Sequence, residues 1–341
     1  MSVLVLDAGN SIIKYARKDG TTGEFPHAIK QITESQIEIA KSRNQGVLPD
    51  GYVRINGTPY AYGAQAERYG LLELRKRAAR YTKDYYGAFV AIALASSYVR
   101  GGEVKFFGSH APGDVDYRDN LMEAAKGYRV VQIADREVEF DVTYANTFDE
   151  PQGGLMNVVL AEDGRHYRDS KINGGRALVI DIGGRTTDWL AVHPGGEIDY
   201  SLNVSAEVGI LNVIEDFSTE FRRNHLDKFQ SVSELPMGRV REAIQTGQFK
   251  GIDCQAEVEA AINLVLNGIN NAYQTRAGGG IDYDTIVLTG GGSALLYDHL
   301  LPILNHEKVV LADDPPKIHL ANVRGGLKLW RFYVDAGLIG E

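Results

Sequence analysis

Two aspartate-led, glycine-rich turns lie about half a chain apart, Asp7-Ala8-Gly9-Asn10-Ser11 and Asp181-Ile182-Gly183-Gly184-Arg185-Thr186-Thr187-Asp188, each entered from a short apolar run. Val3-Leu4-Val5-Leu6 reads as a buried strand with Ile12-Ile13-Lys14-Tyr15 as its hairpin return, and residues 177–180 and 189–192 flank the second turn in the same way. One such turn is ordinary hairpin chemistry. Two of them, at equivalent places in the two halves of one chain, imply a duplicated domain with a cleft between the copies, and such clefts bind ligands. Glycines let backbone approach a polyphosphate closely, and turn N–H groups with Ser and Thr hydroxyls donate to its oxygens. An aspartate at each strand end suits hydrated Mg²⁺, which keeps several waters and takes one or two carboxylates plus phosphate oxygens.

A third element, Ile286-Val287-Leu288-Thr289-Gly290-Gly291-Gly292-Ser293-Ala294, runs from an apolar strand through three glycines to a helix expected to start at Ser293. A helix N-terminus behind glycines accepts anionic or polar ligand groups. The spacing is neither that of a Gly-Lys-Ser/Thr phosphate loop nor that of the dinucleotide fingerprint. Taken alone, it reads rather as a flexible strand-to-helix turn.

At 341 residues the chain exceeds what one hydrophobic core usually organises, so two domains are expected. With 44% hydrophobic and 24% charged residues it is an ordinary globular sequence. The single cysteine, Cys254, excludes an internal disulfide and argues against a structural zinc site, so an inert thiol in the reducing cytosol is expected. The first apolar run ends at Asp7 and no later one nears the length of a membrane span, so a soluble, unsecreted protein is expected. Lys and Arg number 36 against 45 Asp and Glu, a net charge of −9 that argues against direct binding to bare nucleic acid. The local run Arg75-Lys76-Arg77, with Arg80 and Lys83, reads as a solvated helix face.

A polar, turn-rich region from about residue 27 to 70 contains Leu48-Pro49-Asp50-Gly51 and the hairpin signal Asn56-Gly57, and reads as a small inserted subdomain. A helix is expected over 83–100, with Phe89, Ile92, Ala93 and Tyr98 at helical spacing, then a strand at 104–109, a helix at 117–125 and strands at 128–133 and 138–144. Such alternation means a sheet with helices packed on it. Asp149-Glu150-Pro151-Gln152-Gly153-Gly154-Leu155 opens a helix through Val159, its acidic residue and proline being normal first-turn chemistry. After a linker over 169–175 the plan repeats, with helices from Glu207 to about Arg223, over 236–247 and over 257–273. The last carries a core stripe of Val258, Ile262, Val265, Leu266 and Ile269. Gly278-Gly279-Gly280 precedes a strand and reads as a mobile loop, and Ala321-Asn322-Val323-Arg324-Gly325-Gly326 opens a C-terminal helix.

Together these motifs resemble the actin and sugar-kinase ATPase superfamily, whose phosphate-one, phosphate-two and adenosine motifs occur in this order. Within it the chain is most similar to ParM-type plasmid-segregation actins and archaeal actin-like relatives, from Val3 to about Trp330. The resemblance implies an α/β actin-like fold of two duplicated sheet-and-helix domains flanking a nucleotide cleft. Its divisions would be residues 1–170 with the insert at about 27–75, residues 171–320, and a 321–341 helix returning to the first domain, where it would cross the Glu150 connector at a hinge.

The activity implied is Mg²⁺-dependent hydrolysis of ATP, with GTP also open. Asp7 and Asp181 would hold the metal through water. Gly9, Asn10, Ser11 and Lys14, with Gly183, Gly184, Arg185, Thr186, Thr187 and the acidic Asp188, would form the phosphate loops. Glu150, ahead of Gln152, would orient the attacking water, since phosphoryl transfer leaves the protein chiefly positioning and charge stabilisation. Gly209 and Gly290-Gly291-Gly292-Ser293 would contact the nucleotide. Ala8, Asn10 and Arg185 depart from commoner family residues. The function implied is a cytoplasmic, filament-forming ATPase that self-associates head to tail, for plasmid or DNA segregation through a DNA-binding adaptor protein. The alternatives are a non-polymerising ATPase and a small-molecule kinase, the latter needing a general-base aspartate and sugar-binding residues.

Overall fold

A computed structural model of the chain describes residues 2–69, 80–97, 100–229, 235 and 237–340. Two compact units form, Met1–Ser170 with Leu320–Glu341, and Lys171–His319. Arg75, Lys76, Arg77, Tyr98 and Pro236 lie outside the described residues. Among the described residues no helix is long and apolar enough to cross a membrane.

The first unit is built on nine strands, β1 (Ser2–Ala8), β2 (Ile12–Arg17), β3 (Thr22–Pro26), β4 (Ile29–Gln31), β5 (Tyr52–Ile55), β6 (Thr58–Tyr62), β7 (Gly102–His110), β8 (Gly127–Ile133) and β9 (Arg136–Asp149). They run β3-β2-β1-β7-β9-β8-β5-β6-β4 across one sheet. The continuous apolar run of β1 is an inner strand, paired antiparallel with β2 and parallel with β7, and it is buried because the helices Tyr86–Ser97 and Ala321–Asp335 pack on it. At Asn56 and Gly57 both φ angles are positive, 49° and 83°, as a tight hairpin turn requires. The hairpin β5–β6 nonetheless joins the main sheet through β8, so the turn-rich region extends that sheet and has its own small core of Ile32, Ile37, Leu48, Tyr52 and Ala61. The helix Tyr86–Ser97 starts three residues later than its apolar spacing suggests and is buried on nearly every side, consistent with a sequence that offers it no polar face.

The second unit has β10 (Ala177–Ile182), β11 (Thr187–Val192), β12 (Ile198–Ala206), a two-stranded ribbon of β13 (Gln248–Phe249) and β14 (Ile252–Asp253), then β15 (Thr285–Thr289) and β16 (Val309–Leu311). Its sheet order is β12-β11-β10-β15-β16. Reading outward from the central strand, antiparallel partners lie on one side and parallel ones on the other, the same plan as β3-β2-β1-β7-β9. The duplication expected from the two turns is thus present in strand topology. Helices Ile210–Asn224, Met237–Thr246, Gln255–Arg276 and Gly291–Leu304 accompany this sheet, and the stripe Val258, Ile262, Val265, Leu266 and Ile269 is core. Gly278–Gly280 forms a 3-10 turn, not an open loop.

In the first unit the helix Ala321–Asp335 packs on the helix Glu150–Val159. Only glycine permits this approach. A Cβ at Gly325 would overlap the Gly153 carbonyl, and one at Gly153 would come within 2.9 Å of Asn322 Cα and of the Phe148 ring. Further along, the buried Lys328 ammonium donates to the carbonyls of Asn157 at 3.0 Å and Leu160 at 3.2 Å and pairs with Glu162 at 3.0 Å. It satisfies carbonyls that the end of the Glu150 helix leaves open, with a charge that suits the negative end of the helix dipole. Gly325→Val should therefore lower stability by about 3 kcal/mol, as overpacking against rigid backbone does. Gly174→Ala, in a helical position with nothing within 4 Å of the added methyl, should change it little; urea midpoints of the two variants check the contrast.

Candidate functional site

In open α/β sheets ligands sit beyond the carboxyl ends of parallel strands. In the first unit those ends carry Asp7 on β1, His110 on β7 and Asp149 on β9, the last running straight into Glu150 at the start of its helix. Asp7 is 1% exposed and lies opposite Lys14 in the β1–β2 ladder, Nζ to Oδ2 2.7 Å. Its other oxygen, Oδ1, is buried with no hydrogen-bond partner among the described residues. At Gly9 a Cβ would sit 3.0 Å from the Ile12 carbonyl and 3.4 Å from Lys14 Nζ, so glycine gives the turn room that a side chain would crowd. Asn10 is exposed and Ser11 half-buried at the rim.

The turn is braced from below. His27 Nδ1 contacts the Gly9 carbonyl, which can only accept, so Nδ1 carries the proton. The His27 ring stacks on Tyr85 and meets Phe89 edge-on. Arg80 Nη2 donates to the Ala8 carbonyl, and Nη1 stands 4.0 Å from Asp114 Oδ2, which also accepts from the Tyr81 hydroxyl at 2.7 Å. Arg80 is therefore not on a solvated helix face: its side chain is 12% exposed, whereas Lys83 is in solvent. Burial opposes its charge, but Tyr81, Glu150, Asp114 and Asp7 outweigh burial and hold the guanidinium above its ordinary range. Glu150 is also an electrostatic neighbour of Tyr81 and Tyr86, so it faces this cluster. Gln152, two residues on, is about 200° round the helix and faces elsewhere. Arg80 escaped the sequence reading because Arg75-Lys76-Arg77 made it look like one more surface cation; the aromatic run Tyr81, Tyr85, Tyr86 and the apolar helix behind it were the available signal.

The second unit gathers its elements as closely. Asp181, 4% exposed, lies opposite Asp188 in the β10–β11 ladder, so two buried carboxylates stand where the first turn has a carboxylate and an ammonium. Gly290, with φ 83°, brings the third glycine turn onto Asp181; a Cβ there would overlap Asp181 Oδ1, and one at Gly292 would strike the Ile182 carbonyl at 2.9 Å. At Gly209 a Cβ would lie 2.7 Å from the Gly184 carbonyl, and the Ile210 and Leu211 N–H groups donate to the Gly183 and Gly184 carbonyls at 3.1 and 2.7 Å. Gly209 thus packs on the second turn itself.

Several expected contact groups are turned inward. Thr187, fully buried, donates to the Val208 carbonyl at 2.6 Å, and Thr186 donates to Asp188 at 2.9 Å. Asp188 also accepts from Ser205. Ser293 does not begin its helix: Gly290 is the cap, the helix starts at Gly291, and the buried Ser293 hydroxyl bonds the Thr289 carbonyl. Arg185 reaches Glu215 at 3.2 Å. These side chains shape the turns; of the glycines beside them Gly291 is exposed and Gly184 half-buried, whereas Gly292 is buried and Gly183 spends its N–H on the Thr186 carbonyl and its carbonyl on the Ile210 N–H.

Among the described residues no three His, Cys, Asp or Glu side chains converge as a metal cage. Mg²⁺ needs none, since it is held by one or two carboxylates, water and phosphate. The open Asp7 Oδ1 and the paired Asp181 and Asp188 carboxylates fit that coordination, and the Gly9 turn fits a phosphate.

Burial, with the Arg80 charge behind it, pushes the His27 imidazole from 6.5 down to about 3. The folded state thus holds neutral His27 while the unfolded chain takes up a proton below 6.5, so this contribution to stability is complete above that pH and is lost as pH falls toward 3. Urea unfolding should show a slope from this group approaching ~1.4 kcal/mol per pH unit within that window. His27→Gln should flatten it.

Residues 179–301 match the family model for the C-terminal domain of archaeal actin homologues of MreB-like type. No curated protein sequence matches the chain. Among solved structures, the archaeal actin homologue Ta0583 in its complex with ADP superposes with TM-score 0.73 at 18% identity, over 97% of this chain and 99% of that one. A 15-stranded ParM filament from Clostridium botulinum gives 0.69 at 18% identity over 96% and 98% of the two chains. The actin-like protein Alp7A gives 0.72 at 14% over 98% and 97%. The sequence resemblance and the structural likenesses agree, and the chain has the actin-like fold, with archaeal actin homologues and ParM-type proteins among its likenesses.

Proposed function

We propose that the chain is a Mg²⁺-dependent nucleotide hydrolase, using ATP or GTP, that assembles into cytoskeletal filaments in the cytoplasm. The observation that carries this reading is the repeated aspartate turn at the carboxyl end of the central strand in two sheets of the same plan. Supporting it are a similar protein solved with ADP and another solved as a filament. On this reading Asp7 and Asp181 hold Mg²⁺ through water. Gly9, Asn10, Ser11 and Lys14 take phosphate oxygens on one side, and Gly183 and Gly184 on the other. Glu150 orients the attacking water, and the backbone of Gly209 and of Gly290 to Gly292 lies toward the nucleotide. The metal, when bound, neutralises phosphate charge. Plasmid or DNA segregation through a DNA-binding adaptor is the role proposed for the filament, the chain's own charge of −9 disfavouring direct contact with DNA.

The two states of such a filament differ by what the nucleotide selects: triphosphate favours the protomer conformation that fits its neighbour, and loss of phosphate removes that preference. Asp7→Asn and Asp181→Asn should each lower Mg²⁺-dependent phosphate release by at least ~100-fold, as loss of a charge-stabilising group in a phosphoryl-transfer site does. Release at the parent rate in either variant would refute the metal assignment.

Glu150→Ala should retain nucleotide binding but slow hydrolysis by roughly 10²–10⁴-fold. Its filaments should then outlast those of the parent, as followed by light scattering beside phosphate release. Parent protein that stays monodisperse with ATP, GTP and their non-hydrolysable analogues contradicts the filament reading. Turnover that rises sharply with a hydroxyl acceptor identifies a small-molecule kinase instead.

A further inference from the structure

The nucleotide reading assigns no task to Arg80, yet the first turn is built around it. One edge of its guanidinium is committed, with Nη2 on the Ala8 carbonyl and Nη1 4.0 Å from Asp114. Its Cζ stands 5.8 Å from the centre of the Tyr81 ring. The remaining Nε–H is buried with no acceptor among the described residues. Two more buried polar atoms beside it are in the same state, Asp7 Oδ1 and the Tyr86 hydroxyl. Arg80, Asp7 and Tyr86 are electrostatic neighbours of one another, and Arg80 and Tyr86 also of Glu150.

Buried donors and acceptors are almost always paired, because an orphan forfeits its bond to water. A brace for the Ala8 carbonyl would not need a permanent charge, and an amide would serve. A guanidinium held in place through its Nη atoms, permanently charged and with its Nε–H unpartnered, can give that one charge-assisted bond to a phosphate oxygen. The charge balance points the same way, since Asp7, Asp114 and Glu150 are all electrostatic neighbours of Arg80.

We propose that Arg80 is a catalytic residue, an arginine supplied in cis whose open Nε–H donates to the phosphoryl group as it is transferred. The proposal rests on the nucleotide reading above. In the step, the oxygen of water bonds the terminal phosphorus while the bond to the bridging oxygen breaks. The bridging oxygen keeps the electron pair, and nucleoside triphosphate and water become diphosphate, inorganic phosphate and a proton. Arg80 stays protonated throughout. Its role is to neutralise charge that spreads over the phosphoryl oxygens in the transition state, where an arginine of this kind contributes ~10³-fold or more in rate.

The test uses the full chain with Mg²⁺ and either ADP or ADP with aluminium fluoride, which stands in for the phosphoryl group in transfer, read by calorimetric titration beside phosphate release. The parent should bind the fluoroaluminate complex more tightly than ADP. Arg80→Gln keeps a donor for the Ala8 carbonyl and removes the charge. It should bind ADP within about threefold of the parent, lose the extra affinity for the fluoroaluminate complex, and release phosphate ~10³-fold more slowly. Arg80→Lys, which keeps the charge and loses the fork, should recover part of both. Full tightening in Arg80→Gln overturns the proposal, as does an equal loss of ADP and of the complex, which would make Arg80 a brace of the turn only. Should Arg80→Gln fail to fold, the same readings on Arg80→Lys decide: parent-like tightening and rate overturn the fork as the acting element. A parent that binds ADP under no condition removes the nucleotide reading itself, and this proposal with it.

Discussion

A carboxylate buried at the tip of a β-strand is the constraint around which both units are organised. Asp7 and Asp181 are 1% and 4% exposed, and taking an ion out of water costs several kcal/mol unless its surroundings repay it. The first unit answers with Lys14, delivered by hairpin register to the position directly across from Asp7. The second has no such cation in register and puts Asp188 there instead, with the Thr186 and Ser205 hydroxyls on it and the Gly290 turn pressed against Asp181. Glycine at 290 is a consequence of that crowding, since any Cβ would occupy the place of the carboxylate. The two turns look alike in sequence, yet they are electrostatically unequal: across the ladder one sets a carboxylate against an ammonium, the other a carboxylate against a carboxylate.

The second dependence is mechanical. Phosphoryl transfer leaves little for a protein to do except hold groups in place, so the candidate water-orienting residue must sit on something rigid. Glu150 begins a helix whose body is locked to the C-terminal helix by the Gly153–Gly325 contact and whose far end is fastened by Lys328. A side chain at the first turn of such a helix inherits its fixity from contacts up to ten residues away. Burial draws the Lys328 pKa down and Glu162 works against that shift, so the fastening is a charged group kept charged by its partner.

Much of this was legible in the chain because it is local. The apolar runs of β1, β10 and β15, the hairpin at Asn56-Gly57 and the core stripe from Val258 to Ile269 are each specified by residues within a few positions of one another. What escaped was set by distant partners. The β5–β6 hairpin is visible in the sequence, but its place in the main sheet depends on β5 pairing with β8, Val53 opposite Ile133 and Ile55 opposite Val131. Arg80 was read with the cations before it, although its environment comes from Ala8, Asp114 and Glu150. Hydroxyls were misjudged for another reason. Thr187 and Ser293 sit in glycine-rich turns and look available to a ligand, but Ser and Thr readily satisfy themselves on nearby carbonyls, as both do here.

The helix geometry also separates two residues that sequence spacing puts side by side. Glu150 and Gln152 are two residues apart, which on a helix puts them on nearly opposite sides. They cannot serve the same point in space. Since Arg80, Tyr81 and Tyr86 all feel the Glu150 charge, the cluster beside the first turn has Glu150 as its member and Gln152 has some other neighbour. That cluster joins three separate pieces of chain: the end of β1 through the Ala8 carbonyl, the Pro112–Tyr117 turn through Asp114, and the helix that Glu150 begins. Any change in charge at the first turn is therefore felt at once by the helix that the C-terminal helix holds. On the proposed reading, a charge balance of this kind is where loss of a phosphate can be converted into a movement of secondary structure, and His110, 3.6 Å from Asp149 and an electrostatic neighbour of Asp114, adds a second link between the Pro112–Tyr117 turn and the Glu150 helix.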